Sequence, residues 1–241
     1  MDCVIYACHH LALLAPKVEE PGTLRLQSFS RQLRWLKRMG VHFISLRNLA
    51  GWLDGKQTVP ERSAVLTFDD AYSSVAEHGF PILQQHDIPF CVFVIAGLIG
   101  KESNLYAHRG GSPRRHLDTE ELRSLIDTGL VEIGVHGYEH RDLTTCDAAQ
   151  RVREIAEAKQ ALEDIFQQEM PYFAYPFGRA DDAVAEHVQQ SGYRLALTTQ
   201  KRKLISAGVD RWRLPRVNWG RRSSVFKLTK YYLWKTYRSA G

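Results

Sequence analysis

Val65-Leu66-Thr67-Phe68-Asp69-Asp70 is an apolar, β-branched run that stops on two adjacent carboxylates. Such a run reads as a buried strand delivering charge to the edge of a sheet. Side chains alternate along a strand, so Asp69 and Asp70 leave it pointing different ways and can take separate jobs in one site. Alone, an Asp-Asp pair more often opens a turn or caps a helix. The rest of the chain decides between these readings.

Strand-like runs recur on both sides of this stretch. Residues 3–8 end on His9-His10, residues 41–45 form a short run, and residues 88–95 are the most continuous apolar segment, suited to a central strand buried on both faces. Residues 131–135 run into His136, residues 172–175 stop at Pro176-Phe177-Gly178, and further strands are expected at 193–198 and 212–217. Helical spacing fills the intervals. Ser28 or Ser30 is placed to cap a helix carrying Phe29, Leu33 and Leu36, which Gly40 stops. Helices follow at 46–53 and 80–85, then from Asp118 or Thr119 to Asp127. Asp147 opens the longest helix, with Val152, Ile155, Leu162 and Phe166 on its apolar face, and residues 181–190 make another. Alternating strands and helices predict an α/β fold, a mainly parallel sheet closed or nearly closed as a barrel. Working residues sit at the C-terminal ends of strands in such barrels, so His9, Asp69-Asp70, His136 and the Pro176 turn should converge. The polar, basic, glycine-containing stretch 97–116 is long for a connection, and such loops often carry function.

Composition narrows the class without naming an activity. The 241 residues are 44% hydrophobic and 24% charged, ordinary for a globular protein, and one domain over 1–241 is expected because no linker, repeat or low-complexity tract divides them. The net charge of +5 selects no partner by itself, and no nucleic-acid motif is present. Cys3, Cys8, Cys91 and Cys146 lack CxxC spacing, which favours reduced thiols and a reducing compartment. The first fifteen residues lack the basic start of a secretion signal, and no apolar run reaches spanning length, so a cytoplasmic location is expected. Phe226 to Arg238 mix cations with aromatics. Residues 224–241 are therefore a candidate for peripheral contact at the inner face of a membrane, or a helix packed on the barrel with a solvated basic side. Nothing in the sequence specifies an oligomeric state.

His136-Gly137-Tyr138-Glu139-His140 places two imidazoles four residues apart. With a helical turn after the strand both rings share one face, and one carboxylate would complete a His/His/Asp set with positions open for water and substrate. A lone HxxxH is weak evidence, more often a surface or capping feature.

Thr67-Phe68-Asp69-Asp70, Glu132-Ile133-Gly134-Val135-His136 with His140 and Leu143, and Phe173-Ala174-Tyr175-Pro176-Phe177-Gly178 together resemble, in order and spacing, the successive motifs of polysaccharide deacetylases. These are the NodB-like enzymes of carbohydrate esterase family four. The resemblance spans at least residues 65–217, with Leu214-Pro215-Arg216 similar to a closing segment of many members. Residues 29–49 resemble the lead-in of biofilm-related poly-N-acetylglucosamine deacetylases. The resemblance implies a distorted (β/α) barrel of about seven mainly parallel strands. It also implies that Asp70, His136 and His140 hold a divalent metal, zinc foremost, with cobalt, nickel or manganese as alternatives. Asp69 would then be the general base toward the attacking water. Tyr175, Phe177 and Gly178 would border the substrate and oxyanion, with a backbone N–H near Phe177 as donor. The implied reaction is hydrolytic removal of acetyl groups, N-acetyl foremost, from a sugar, polysaccharide or lipid-linked glycan. A catalytically silent glycan-binding relative and an amidase on a small non-sugar amide are the alternatives.

Two departures from the family pattern matter. The chain has no histidine after His187, so the usual C-terminal Leu-x-x-His acid is missing. The permuted, biofilm-related branch carries that acid on its first strand, which nominates His9, with His10 the rival by register. Ala174 stands where many members have an arginine that orients the catalytic Asp; Arg216, at the end of the last strand, is the candidate to supply that charge. Ala71 and Gly137 replace a common glycine and a common Ser/Thr.

Overall fold

A computed structural model describes residues 2–13, 22–199, 204–206, 208–221 and 223–238. Seven parallel strands form the frame: β1 (Asp2–Cys8), β2 (Arg62–Phe68), β3 (Phe90–Val94), β4 (Val131–Val135), β5 (Tyr172–Ala174), β6 (Leu195–Leu197) and β7 (Arg216–Asn218). Their order is β6-β5-β4-β3-β2-β1-β7, every pairing parallel. Leu197 bridges Leu214, and the Thr198 N–H donates to the Leu214 carbonyl at 2.8 Å, so β6 meets the lead-in of β7 and the barrel nearly closes. Closure removes most of the exposed sheet edge. A short strand, His42–Phe43, pairs in parallel with Ser63–Ala64 at the start of β2.

Period-two alternation divides the strand residues between two apolar layers. Cys3, Ile5, Val65, Cys91, Phe93, Ala174, Leu195 and Leu197 fill the barrel interior, while Val4, Tyr6, Leu66, Phe68, Val92 and Val94 face the helices. Helix α1 (Leu26–Arg38) buries Phe29, Leu33 and Leu36 in the outer layer, as their spacing predicts. Its start differs from expectation: Arg25 is the N-cap without a side-chain bond, and Ser28 and Ser30 lie inside the first turns. Helix α2 (Leu46–Leu53) puts Leu46, Leu49 and Ala50 into the interior cluster and stoppers the N-terminal end of the barrel. Glu132, at the start of β4, holds it there by accepting the Leu46 and Arg47 N–H groups at the helix N-terminus, where a carboxylate is favoured.

Helix α3 (Phe80–Gln85) follows a π turn (Val75–Gly79), and α4 (Thr119–Asp127) starts from a capping box on Asp118. Helix α5 covers residues 148–166, capped by Asp147, and is interrupted by a π turn at Arg153–Glu157. One extra residue in a π turn rotates the flanking segments relative to each other. Val152 is therefore 42% exposed, against the expectation that it joins the apolar face, while Glu154 and Ile155 are buried. Helix α6 (Asp182–Gln190) starts from Asp181.

Stretch 97–116 is more structured than expected. It contains an antiparallel pair, Glu102–Ser103 with Arg114–Arg115, and the Ser73 N–H and Leu117 N–H tie its end to the segment after Asp70. Helix α7 (Val225–Arg238) lies on the barrel: Leu228, Thr229 and Tyr232 are buried, and the Tyr6 and Tyr232 hydroxyls donate to the Leu228 and Ser63 carbonyls. Phe226 stays exposed, and the side chains from residue 233 onward lie outside the described residues. No described helix is long and apolar enough to cross a membrane. All four cysteines are buried free thiols.

Candidate active site

The strand ends converge as expected, on a cavity of about 380 Å³ bordered by His9, Asp69, His136, His140, Phe177 and Arg109. Register explains how. Cys8 pairs with Phe68 and the Asp69 N–H donates to the Cys8 carbonyl, so His9 and Asp69 leave β1 and β2 side by side. Val94 pairs with Val135, and the His136 N–H donates to Val94, which brings β4 out level with its neighbours.

Asp69 continues the inward row of Val65 and Thr67 and points into the barrel mouth. There Arg216 meets it bidentately, Nη1 at 2.6 Å from Oδ1 and Nη2 at 2.8 Å from Oδ2. Both side chains are buried. Arg216 is fixed in turn: it donates to the Thr198 carbonyl and the Thr67 hydroxyl, and its guanidinium lies 5.6 Å from the centre of the Phe93 ring. Burial alone would raise the Asp69 pKa, but Arg216, with help from His136 and His9, outweighs it and holds the carboxyl well below the usual range. The position that Ala174 leaves without a charge is thus served from β7. His9 Nε2 lies 3.8 Å from Asp69 Oδ2. His10 turns away, its Nδ1 3.5 Å from the Thr23 hydroxyl and its ring edge-on to Tyr72, and it does not border the cavity.

Asp70 takes the other direction. Its φ of 69° lies in the left-handed region and turns the carboxylate back beneath the two histidines. His136 Nε2 and His140 Nε2 are each 3.6 Å from Asp70 Oδ1, and the three donor atoms lie within 4.8 Å of one another. The His136 Nδ1–H donates to the Ala174 carbonyl at 2.7 Å, which leaves Nε2 with its lone pair toward Asp70. Burial pushes both imidazoles down to about 4, so they are neutral at pH 7. Asp70 is fully buried, and neither of its oxygens accepts a hydrogen bond. The Tyr72 hydroxyl is close enough for burial and the Asp70 charge to push its pKa up, yet outside hydrogen-bond geometry. A buried carboxylate without a donor is expensive unless a cation meets it. Two neutral imidazoles and one orphaned carboxylate are a donor set that fits a divalent metal with open positions.

The Pro176 turn is split by the structure. Phe177, at φ 59°, lays its ring 4.7 Å from that of His140 and borders the cavity. Gly178 borders it too, at φ +69°, where an added Cβ would collide with Thr199. Tyr175 does not border the cavity, contrary to expectation. Its ring is buried against Phe173, its hydroxyl donates to the Trp212 carbonyl, and its N–H donates to Leu197. Asp210 accepts the Trp212 N–H and pairs with Arg213.

Sequence reasoning missed several contributors. Buried His116 donates from Nδ1 to the Asp70 carbonyl at 2.6 Å and accepts from the Ser103 hydroxyl at Nε2, so the loop after β3 is tied to the backbone of Asp70. Tyr106 of the same loop and Trp219 after β7 border the cavity. Glu154 is fully buried behind the His136–His140 turn. A carboxylate one turn from Ala158 on the buried face of α5 was the available signal for it.

A nearly closed barrel of seven parallel strands is the NodB-like deacetylase fold, and in this chain a carboxylate–arginine pair and a His/His/Asp cluster stand at its C-terminal mouth. The chain belongs to the polysaccharide deacetylase family, whose model matches residues 56–196. Among curated proteins it is 24% identical over 199 residues to a poly-beta-1,6-N-acetyl-D-glucosamine N-deacetylase of Staphylococcus aureus, a match covering 78% of this chain and 65% of the relative. The chain thus spans under two thirds of the length of the curated relatives it matches. Among solved structures, IcaB from Ammonifex degensii superposes with TM-score 0.79 at 25% identity, covering 95% of this chain and 96% of that one. The Streptococcus pyogenes deacetylase PplD in complex with acetate has the same fold, with TM-score 0.81 at 21% identity and coverage of 96% and 98%.

Proposed function

We propose that this protein is a metal-dependent hydrolase that removes N-acetyl groups from an acetylated polysaccharide or lipid-linked glycan. The observation that carries the reading is one cavity in which Asp69, clamped by Arg216, faces His9 beside the Asp70/His136/His140 set. The name of the Staphylococcus aureus relative supports an N-acetylglucosamine polymer as the first substrate to try.

Asp70, His136 and His140 would hold the cation, zinc foremost. A divalent ion there supplies Lewis acidity, acidifying water and polarising the amide carbonyl. Asp69, kept ionised by Arg216, accepts a proton from the water that adds to the acetyl carbon. His9, protonated, delivers its proton to the amide nitrogen as the C–N bond breaks, which frees acetate and the sugar amine. Oδ2 of Asp69 is the oxygen nearer His9, so base and acid act from one edge of the cavity. A backbone N–H near Phe177 would steady the oxyanion.

The bond from Arg216 to Asp69 and the position of His9 beside Asp69 support activity over a silent glycan-binding relative, with Arg216 standing in for the absent arginine and His9 for the absent histidine in this reading. Acetate release from N-acetylglucosamine oligomers tests the reading. Release should fall to background in Asp69→Asn; no release by the wild-type protein with metal bound would sink it. Residues 224–241 are a candidate contact for an anionic membrane surface at the cytoplasmic face. Vesicle co-sedimentation unchanged by deleting them would remove that part.

A further inference from the structure

His136 and His140 belong to different kinds of backbone. His136 leaves the end of β4, whereas His140 sits in a turn at φ 63°, a left-handed conformation that histidine does not favour. Something must hold that turn, because a metal set tolerates little displacement of a ligand. Gly137 opens it at φ +82°. The four residues 138–141 then wrap around one side chain.

That side chain is Glu154, which is 0% exposed. Its Oε1 accepts the Glu139 N–H at 2.8 Å, and its Oε2 accepts the Tyr138 N–H at 3.1 Å and the Arg141 N–H at 3.3 Å. Three backbone donors on one carboxylate satisfy a turn that makes no sheet or helix bonds of its own. The π turn Arg153–Glu157 aims Glu154 there, and Gly137 leaves room for it: a Cβ at that position would strike Glu154 Oε2. Outside the turn, Glu139 pairs with Arg141 and Arg153, and the Arg153 guanidinium lies over the Tyr138 ring. These exposed contacts are the weaker restraint.

We infer that Glu154 is a positioning residue for the metal set, its carboxylate fixing the 138–141 turn so that His140 meets Asp70 and His136. The inference rests on the metal role proposed for those three residues. Glu154 touches neither substrate nor ligand atoms; it acts through the backbone. Replacing it by glutamine keeps the volume but turns one acceptor into an NH₂ group that faces an N–H. Supporting groups of this kind govern metal affinity by about 10- to 100-fold.

Purified wild-type, Glu154→Gln and His140→Ala proteins would be stripped and titrated with Co2+, reading the absorption spectrum and the affinity by chelator competition. Thermal melts of the metal-free proteins monitor folding. The expected result is Co2+ binding by the wild-type protein, loss in His140→Ala, and a 10- to 100-fold weaker, spectrally altered site in Glu154→Gln. A Glu154→Gln protein that melts lower yet keeps the wild-type affinity and spectrum would overturn the positioning role, leaving only a packing role. Should that variant fail to fold, Glu154→Asp, which keeps the charge on a shorter arm, must show the same affinity loss or the inference is wrong. Absence of Co2+ binding by the wild-type protein would instead refute the metal reading itself, and the inference with it.

Discussion

Arg216 and Asp69, 147 residues apart in the chain, form a buried bidentate pair at 2.6 and 2.8 Å across the mouth of the barrel. Such a pair does two things at once. It holds the Asp69 carboxyl well below the usual carboxylate range, and it fixes which edge of the carboxylate faces His9. Removing the arginine leaves an uncompensated buried charge, which costs about 3–5 kcal/mol. Arg216→Lys keeps the charge but not the fork. It should retain the fold by circular dichroism and lose about 10- to 100-fold in kcat with N-acetylated oligosaccharides.

The two neighbouring histidines should separate cleanly. His9 borders the cavity beside Asp69, whereas His10 faces Thr23 and Tyr72. Loss of a general acid costs about 10²- to 10⁴-fold. His9→Ala should therefore fall in kcat by that factor with metal content unchanged, and His10→Ala should change kcat by less than about tenfold. Equal losses in both variants would remove His9 from the acid role.

The metal role proposed for Asp70 carries a cost in stability. Its buried carboxylate has no hydrogen-bond donor, so the metal-free protein carries the full cost of desolvating it. Asp70→Asn should stabilise the metal-free fold by about 1–3 kcal/mol, seen as a higher Tm in chelator, while abolishing the rise in Tm that Zn2+ is expected to give the wild-type protein. A lower Tm in chelator would show that the carboxylate has a partner other than a cation.

The imidazoles add a pH dependence. Burial pushes His136 and His140 from 6.5 down to about 4, and pushes His116 downward as well. Between those values the unfolded chain binds more protons than the folded one, so stability falls as pH is lowered. Each group contributes at most about 1.4 kcal/mol per pH unit. Melts in chelator should drop between pH 6.5 and 4.5, and a His136→Gln/His140→Gln double variant should flatten that slope.

Much of this site was legible because strand periodicity is local. Alternation along 65–70 already sends Asp69 and Asp70 apart, and the barrel brings strand ends together whatever lies between them. Arg216 could be nominated because Ala174 leaves a charge unsupplied in the family pattern. What the sequence hid depends on contacts far along the chain or on irregular backbone. The π turn at Arg153–Glu157 breaks the helical period, so Val152 faces solvent where regular spacing predicts burial and Glu154 is buried where it does not. The left-handed Phe177 redirects the chain, which leaves Tyr175 in the core while Phe177 reaches the cavity. His116 matters only because folding places it against a carbonyl 46 residues away. The start of α1 carries no sequence signal, because Arg25 caps it without a side-chain bond.

The proposed reaction removes acetyl groups with a metal held by Asp70, His136 and His140. Acetate released from N-acetylglucosamine oligomers by one protein sample, measured as purified, after chelation, and after return of Zn2+, tests it directly. Release that stops on chelation, returns with Zn2+ in the wild-type protein and never returns in His136→Ala is the predicted result. Release untouched by chelation, or equal in His136→Ala, would contradict it.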